Sequence, residues 1–271
     1  MSSEDLIVVI TGASRGFGRA LAVVAAGSFQ ENTNLKIILV ARSMEGLNTT
    51  AQHVRDQVGG SVNICCHSMD LGDLGHLDAN FDKLCQEFET EAASSRRIIF
   101  IQNAGSIGHL GPCRDSPSLM AMQAYVDLNI TSCLWTSARL AGYVKSAQIP
   151  TDMVIVSISS LVAIENFPTF GIYSAGKAAR DKYHTLIAKE EAPEPSVTSS
   201  STIRTLNYAP VSTTNNLLKS HCLSVDVAHP FFLSFVGTVG NGDGGRNPRE
   251  FGSSGCIVTA RLQAKGSGSN E

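Results

Sequence analysis

The chain has 271 residues, 43% of them hydrophobic, and a formal net charge of −3, which suits one large domain with a real core. This charge lacks the basic excess that is typical of proteins that bind nucleic acid or anionic membranes. The first five residues lack the basic start of a signal peptide, and the apolar runs are too short for a membrane-spanning helix. Seven scattered cysteines without metal-ligand spacing fit reduced thiols, so we expect a cytosolic protein without a metal site.

Short apolar segments alternate with helix-length segments over the first two-thirds of the chain. The predicted strands are residues 6–10, 36–40, 62–67, 97–101, 153–158 and 203–207. The predicted helices are residues 20–26, 44–58, 77–91, 120–145 and 173–190. Strands that are apolar throughout indicate a parallel sheet covered on both faces. Right-handed crossovers then give a doubly wound, Rossmann-type α/β sheet in a single three-layer domain.

The last third of the chain has a weaker pattern. Residues 193–202 are rich in Pro, Ser and Thr and indicate an inserted loop. Residues 211–265 form a divergent C-terminal region, in which the apolar run 227–239 suits either a helix or a strand. Residues 266–271 indicate a disordered tail.

A glycine-rich turn follows the first strand. It reads Thr11-Gly12-Ala13-Ser14-Arg15-Gly16-Phe17-Gly18. Such a turn lets backbone N–H groups approach a pyrophosphate at a helix N-terminus, which predicts a dinucleotide site. The same residues fit the G-x-S-x-G nucleophile elbow of hydrolases, with Ser14 as nucleophile, but an elbow needs an oxyanion donor from an earlier strand loop.

The residues after the second strand indicate which nicotinamide cofactor binds. Proteins that bind NAD carry an acidic residue here for the ribose 2′-hydroxyl, whereas this chain has Arg42 and Ser43. A guanidinium pairs well with a 2′-phosphate, and Arg15 could approach the same group. The alternative for each arginine is a solvated surface charge. The pair, with the acid missing, favours NADP.

Two further segments follow strands at the same edge of the sheet. Asp70 and Leu71 follow the third strand, where the Asp70 carboxylate could accept a hydrogen bond from the adenine amino group or cap a helix. The fourth strand is followed by the small residues Asn103-Ala104-Gly105, which allow close passage of the cofactor, although a simple turn would also explain them.

The strongest chemical signal is a tyrosine and a lysine on one helix face, Tyr173 and Lys177. A free tyrosine has a pKa of about 10, and a nearby ammonium favours the phenolate form. Ser160, just past the fifth strand, could hold the substrate oxygen, and Asn129 could order a water that links Lys177 to bulk solvent. Each feature alone is common. Their order along the chain, at strand ends or on adjoining helices, favours a catalytic site.

This set of motifs resembles the short-chain dehydrogenase/reductase family over residues 6–210. The resemblance implies a tetrad of Asn129, Ser160, Tyr173 and Lys177, with Tyr173 protonating a carbonyl oxygen. It also implies that Tyr173 and Lys177 contact the NADPH cofactor and that hydride comes from its nicotinamide. Two alternatives remain, which are a general carbonyl reductase of unknown substrate and a protein that binds NADP without turnover.

Within the family, the chain is most similar to the branch that reduces side-chain carbonyls of pterins. The segments that carry this similarity include Phe17 in the glycine turn, 128–132, 158–161, 175–181 and 206–210. The resemblance implies a homodimer and a pterin substrate lined by Ser160, Leu161 and Tyr173. The chain departs from that branch at Val211, where the branch has glycine, and at Thr259, where it has an aspartate that anchors the pterin.

Overall fold

The computed structural model describes residues 4–28, 34–58, 62–89, 95–115, 117–192 and 201–210, and the backbone of 221–225. Most of the predicted insertion, the predicted tail, Val211 and Thr259 lie outside the described residues. The strands are β1 (Glu4–Thr11), β2 (Asn34–Ala41), β3 (Asn63–Ser68), β4 (Ser95–Gln102), β5 (Thr151–Ile158), β6 (Thr202–Ala209) and β7 (His221–Val225). The helices are α1 (Gly16–Ser28), α2 (Met44–Val58), α3 (Leu74–Gln86), α4 (Leu119–Val126), α5 (Ser132–Ser146) and α6 (Gly171–Glu190).

The strands form one sheet in the order β3-β2-β1-β4-β5-β6-β7. β1 to β6 are parallel, which confirms the predicted doubly wound sheet, and β7 pairs antiparallel with β6 at the edge. The chain leaves β1 towards β2 and leaves β4 towards β5, so the connections diverge between these two neighbouring strands. Ligands of open α/β sheets bind at such a switch point, beyond the carboxyl ends of the strands.

Both faces of the sheet are buried, because alternate residues of each strand point to opposite sides. On β1, Leu6, Val8 and Ile10 pack in one cluster with apolar residues of α1 and α2. Ile7 and Val9 pack in a second cluster with α3, α5 and α6. This explains why the strands are apolar throughout rather than alternating with polar residues.

Most strands and helices differ from the sequence prediction by a few residues at their ends, and the larger differences concern helices. The predicted helix 120–145 spans α4 and α5, which are joined by a π-helical turn at Asp127–Thr131. α3 begins at Leu74 rather than 77 and ends at Gln86 rather than 91. It ends early because the Lys36 ammonium of β2 binds both the backbone oxygen and the carboxylate of Glu87, at 2.8 and 2.6 Å. Thr202 begins β6 instead of ending the loop.

None of the helices in the described part of the chain is long and apolar enough to cross a bilayer.

Candidate active site

The glycine turn and the loop after β4 are joined by a set of hydrogen bonds at the carboxyl end of the sheet. The Thr11 hydroxyl accepts from the backbone N–H groups of Asn103 and Ala104, each at 3.0 Å. The Asn103 amide donates in return to the backbone oxygens of Thr11 and Gly12, at 3.0 and 3.3 Å. These bonds fix the glycine turn and the loop after β4 against each other. Both segments were expected to contact the cofactor.

Two of the glycines are required by close approach of the backbone. Gly12 has φ 68°, in the left-handed region, and a Cβ there would lie 3.0 Å from the Ala104 Cα. A Cβ on Gly18 would lie 2.3 Å from the Gly12 oxygen and 2.7 Å from the Asn103 amide nitrogen. These two glycines therefore let the turn pack closely against the loop after β4. On the cleft side, a Cβ on Gly16 would meet nothing within 4 Å, so the turn stays open there, as a pyrophosphate site requires.

A cleft of about 620 Å³ opens at this edge of the sheet. Thirteen predicted cofactor residues line it, namely Gly12, Ser14, Arg15, Gly16, Phe17, Gly18, Arg42, Ser43, Asp70, Leu71, Asn103, Ala104 and Gly105. Ala13 is fully buried beneath the turn, and Tyr173 and Lys177 are not among the lining residues. The prediction missed Val40, Ala41, Gly46, Met69 and Leu128, which also line the cleft. No sequence motif marks these five residues.

Arg15 and Arg42 both lie exposed on the lining of this cleft. Within the described ranges, neither guanidinium forms an ion pair with a carboxylate. Ser43 caps α2, because its hydroxyl accepts from the backbone N–H of Gly46 at 3.1 Å. Two cations and a helix N-terminus at one site favour an anion such as a phosphate.

Asp70 lies on the same cleft, but it does not cap α3. Its Oδ1 accepts from the backbone N–H of Gly72 at 2.9 Å, which closes a turn, and Asp73 occupies the N-cap position. The helix-cap alternative for Asp70 is therefore wrong. Its exposed carboxylate has further lone pairs that can accept from an adenine amino group.

The back of the glycine turn is supported by residues that sequence reasoning missed. Arg19 donates to the backbone oxygen of Ser14 at 2.8 Å and to the Thr50 hydroxyl at 3.1 Å. Thr50, on α2, donates in turn to the backbone oxygen of Ala13 at 2.8 Å. Since Thr50 lies over thirty residues away in sequence, only the packing of α1 against α2 reveals its role.

Tyr173 and Lys177 meet on α6 as their spacing predicts. The Lys177 ammonium lies 5.6 Å from the centre of the Tyr173 ring. Phe170 lies beside the same ring, with the two ring centres 6.3 Å apart. Lys177 therefore places a positive charge next to the phenol, as a proton-transfer site of this type requires.

The Lys177 side chain is buried, with 7% of its surface exposed. Its Nζ donates a hydrogen bond to the backbone oxygen of Ile158 at the end of β5. Burial, and then the Arg180 guanidinium, lower the pKa of Lys177 to about 7. Arg180 is itself 1% exposed and donates to the backbone oxygen of Gln102 at 2.8 Å. A buried arginine is uncommon, and nothing in the local sequence singled out this one.

Ser160 lies two residues after the Ile158 carbonyl that Lys177 binds. It immediately precedes a 3-10 turn at Leu161–Ala163, and both Ser160 and Leu161 are half-buried. The Lys177–Ile158 bond therefore ties the segment that carries Ser160 to the helix that carries Tyr173.

Asn129 lies in the π-helical turn and is 2% exposed. Its Oδ1 accepts from the backbone N–H of Ser106 at 2.8 Å, and its Nδ2 donates to the backbone oxygen of Tyr125 at 3.0 Å. The side chain thus holds the loop after β4, which is a different use from the expected ordering of a water. A water beside it would use the second lone pair of Oδ1 or the second N–H of Nδ2. π-helical turns often occur at functional sites, because the extra residue redirects a side chain.

The hydrolase alternative for Ser14 is not supported by its surroundings. A nucleophile elbow needs a histidine base beside the serine. No histidine occurs among the described residues that line this cleft.

Comparisons with known proteins agree with this geometry. A family model described as short chain dehydrogenase matches residues 6–216. The chain belongs to the short-chain dehydrogenase family. Sepiapterin reductase of Rattus norvegicus is 34% identical over 208 residues, covering 75% of this chain and 72% of the rat protein. Sepiapterin reductase of Xenopus tropicalis is 31% identical over 209 residues, covering 76% of this chain and 73% of that protein.

Among solved structures, a short-chain dehydrogenase from Sphingobium yanoikuyae in complex with NADPH matches with a TM-score of 0.54 and 26% identity. The match covers 68% of this chain and 65% of that one. The family resemblance predicted from the motifs is thereby confirmed, and the chain is an oxidoreductase of this family.

Proposed function

We propose that this short-chain dehydrogenase reduces a carbonyl compound with NADPH. The main support is the position of the Lys177 ammonium, which lies 5.6 Å from the centre of the Tyr173 ring. This pair lies at the same edge of the sheet as the cleft that is lined by the glycine turn. Tyr173 donates its phenolic proton to the carbonyl oxygen, Lys177 favours the resulting phenolate, and Ser160 hydrogen-bonds the oxygen. NADPH, when bound, supplies the hydride for the carbonyl carbon.

The cleft fits NADP(H) on two grounds. Gly16 lines the cleft and has nothing within 4 Å of the place where a Cβ would lie, so the turn leaves room for a pyrophosphate at the start of α1. Arg15 and Arg42 offer guanidinium groups that no described carboxylate neutralises, where an enzyme that uses NAD would carry an acid. Tyr173 and Lys177 would contact the nicotinamide end, and Asn129 would hold the loop after β4 beneath it.

The substrate that we propose is a pterin with a side-chain carbonyl. Its support is the 31–34% identity to sepiapterin reductases over about three-quarters of this chain. Ser160, Leu161 and Tyr173 would line the side chain of that substrate. At two positions this chain has Val211 and Thr259, where the pterin-reducing branch has a glycine and an aspartate.

The test measures NADPH oxidation with sepiapterin and, separately, with a simple aliphatic dicarbonyl. We expect turnover of sepiapterin at a higher kcat/KM than of the dicarbonyl. Turnover of the dicarbonyl alone would contradict the pterin assignment and leave a general carbonyl reductase. Tight NADPH binding without turnover on a broad carbonyl panel would leave a protein that binds NADP without catalysis.

We further propose that the chain forms a homodimer, as the family resemblance implies. In support, Leu119 and Met120 at the start of α4 are 80% and 78% exposed, an unusual exposure for two adjacent large apolar side chains. Light scattering coupled to gel filtration should give twice the chain mass. A monomer at micromolar concentration would contradict it.

A further inference from the structure

Helix α6 holds the segment before Ser160 at two successive points. Lys177 donates to the backbone oxygen of Ile158, and the Asp181 Oδ2 accepts from the Ser159 hydroxyl at 2.6 Å. The Ser159 backbone N–H also donates to the oxygen of Tyr208 on β6, at 2.7 Å. Ser159 is therefore held from two sides, which leaves its neighbour Ser160 little freedom to move.

Lys177 and Asp181 lie four residues apart, so they occupy one face of α6. Each charge favours the other: Asp181 raises the pKa of Lys177, and Lys177 lowers that of Asp181. Burial dominates for the carboxyl group and raises the pKa of Asp181 overall. The second oxygen of Asp181, Oδ1, is buried without a hydrogen-bond partner in the described part of the chain.

The charges around Lys177 come from several elements. Arg180 on α6 disfavours the ammonium, while Cys133 on α5 and Asp181 favour it, and the aromatic ring of Tyr173 lies 5.6 Å away. From β5 only the neutral Ile158 backbone oxygen reaches Nζ among the contacts described. Asp181 is thus the carboxylate that opposes burial and Arg180. Because the pKa of Lys177 is about 7, loss of the Asp181 charge will favour the neutral amine of Lys177 at neutral pH.

We propose that Asp181 is a positioning residue for carbonyl reduction, which aligns Ser160 through the Ser159 hydroxyl and retains the proton on Lys177 through its charge. This inference rests on the proposed function, because Ser160 and Lys177 matter here as parts of a reductase site. The two roles are separable, since one needs a hydrogen-bond acceptor and the other a negative charge.

Two variants separate the roles. Asp181→Asn keeps an oxygen that can accept from Ser159 and removes the charge. Ser159→Ala removes the hydroxyl and keeps the charge. Glu190→Gln, at the exposed end of α6, is the control for the loss of one negative charge from this helix.

The first measurement is the pH profile of kcat for NADPH-dependent reduction. In Asp181→Asn the alkaline limb should move to lower pH, because a negative charge that favours the Lys177 ammonium is lost. In Ser159→Ala, kcat should fall roughly tenfold with the limb unmoved, since only the alignment of Ser160 changes. Glu190→Gln should match the parent protein. Asp181→Glu, which keeps the charge, should retain the parental limb. Asp181→Ser, which also lacks the charge, replaces Asp181→Asn if that variant does not fold.

The second measurement follows the protonation of Lys177 by NMR in cofactor-free protein with labelled lysine Cε and Nζ, assigned with Lys177→Arg. Its midpoint should lie near neutral pH and fall in Asp181→Asn but not in Ser159→Ala. If Asp181→Asn leaves both the NMR midpoint of Lys177 and the alkaline limb of the kcat profile unchanged, the inference about Asp181 is overturned. The proposed reductase function would not be affected by that result. A parent protein without turnover would overturn the proposed function, and the NMR midpoint would still decide whether Asp181 holds the proton.

Discussion

Replacing Lys177 with methionine should stabilise the cofactor-free protein in mildly acidic solution. The folded chain holds this lysine in a buried site, where its pKa falls from 10.5 to about 7. The unfolded chain therefore binds more protons than the folded chain between pH 7 and 10.5, so the free energy of unfolding must rise with pH across that window. Below pH 7 the ammonium is present in both states, and the folded chain bears the whole penalty of burying it.

The size of the effect follows from the two pKa values. Each pH unit between them corresponds to about 1.4 kcal/mol, so the buried ammonium costs about 5 kcal/mol at pH 6. Lys177→Met removes that penalty but leaves the Ile158 carbonyl without its donor, which costs about 1–3 kcal/mol. We therefore expect Lys177→Met to raise the free energy of unfolding by about 2–4 kcal/mol at pH 6 and to lose this advantage as the pH approaches 10.

The assay is urea unfolding of the parent protein and the variant from pH 6 to 9.5, without cofactor. Other titrating groups cancel in the difference between the two proteins. Lys182→Met, an exposed lysine on the same helix, is the matched control and should give a small difference that does not change with pH. A Lys177→Met variant that is less stable than the parent at pH 6, or whose stability difference from the parent is independent of pH, would show that the folded chain bears no penalty for burying the Lys177 ammonium.

Two further predictions concern the cofactor cleft. Arg42→Ala should weaken NADPH binding by about 1.5–3 kcal/mol and leave NADH binding almost unchanged, as measured by nucleotide fluorescence; equal losses would exclude contact with the 2′-phosphate. Gly18→Ala should lower the free energy of unfolding by about 1–3 kcal/mol, because its Cβ would lie 2.3 Å from the Gly12 oxygen. Gly27→Ala on the same helix has nothing within 4 Å of its Cβ and should be neutral or slightly stabilising. Equal thermal stability of the two variants would contradict the close approach at Gly18.

The sheet and the cofactor cleft were predictable because both depend on local signals. Residues 6–10 are apolar without interruption, which indicates burial on both faces, and the three glycines after them mark the turn. Each strand end carries its own short motif. A parallel sheet brings these ends to one edge, so Arg42 and Asn103 could be placed on one cleft before any coordinates were known.

The features that were not predictable depend on contacts distant in sequence. The sequence pattern of residues 120–145 predicts one continuous helix and does not mark the π-helical turn at Asp127–Thr131. Arg180 and Asp181 are charged residues on a helix, which usually face solvent. Only the packing of α6 against the sheet buries Arg180 and half-buries Asp181. The early end of α3 results from the ion pair between Lys36 and Glu87, more than fifty residues apart.

In the proposed reaction, Tyr173 donates the proton to the carbonyl oxygen of the substrate. The most direct measurement compares NADPH oxidation by the parent protein and by Tyr173→Phe, with sepiapterin as substrate and NADPH affinity measured on both. We expect kcat to fall at least about 100-fold, as for the loss of a general acid, while NADPH affinity and thermal stability stay close to the parental values. Undiminished turnover by Tyr173→Phe would contradict it.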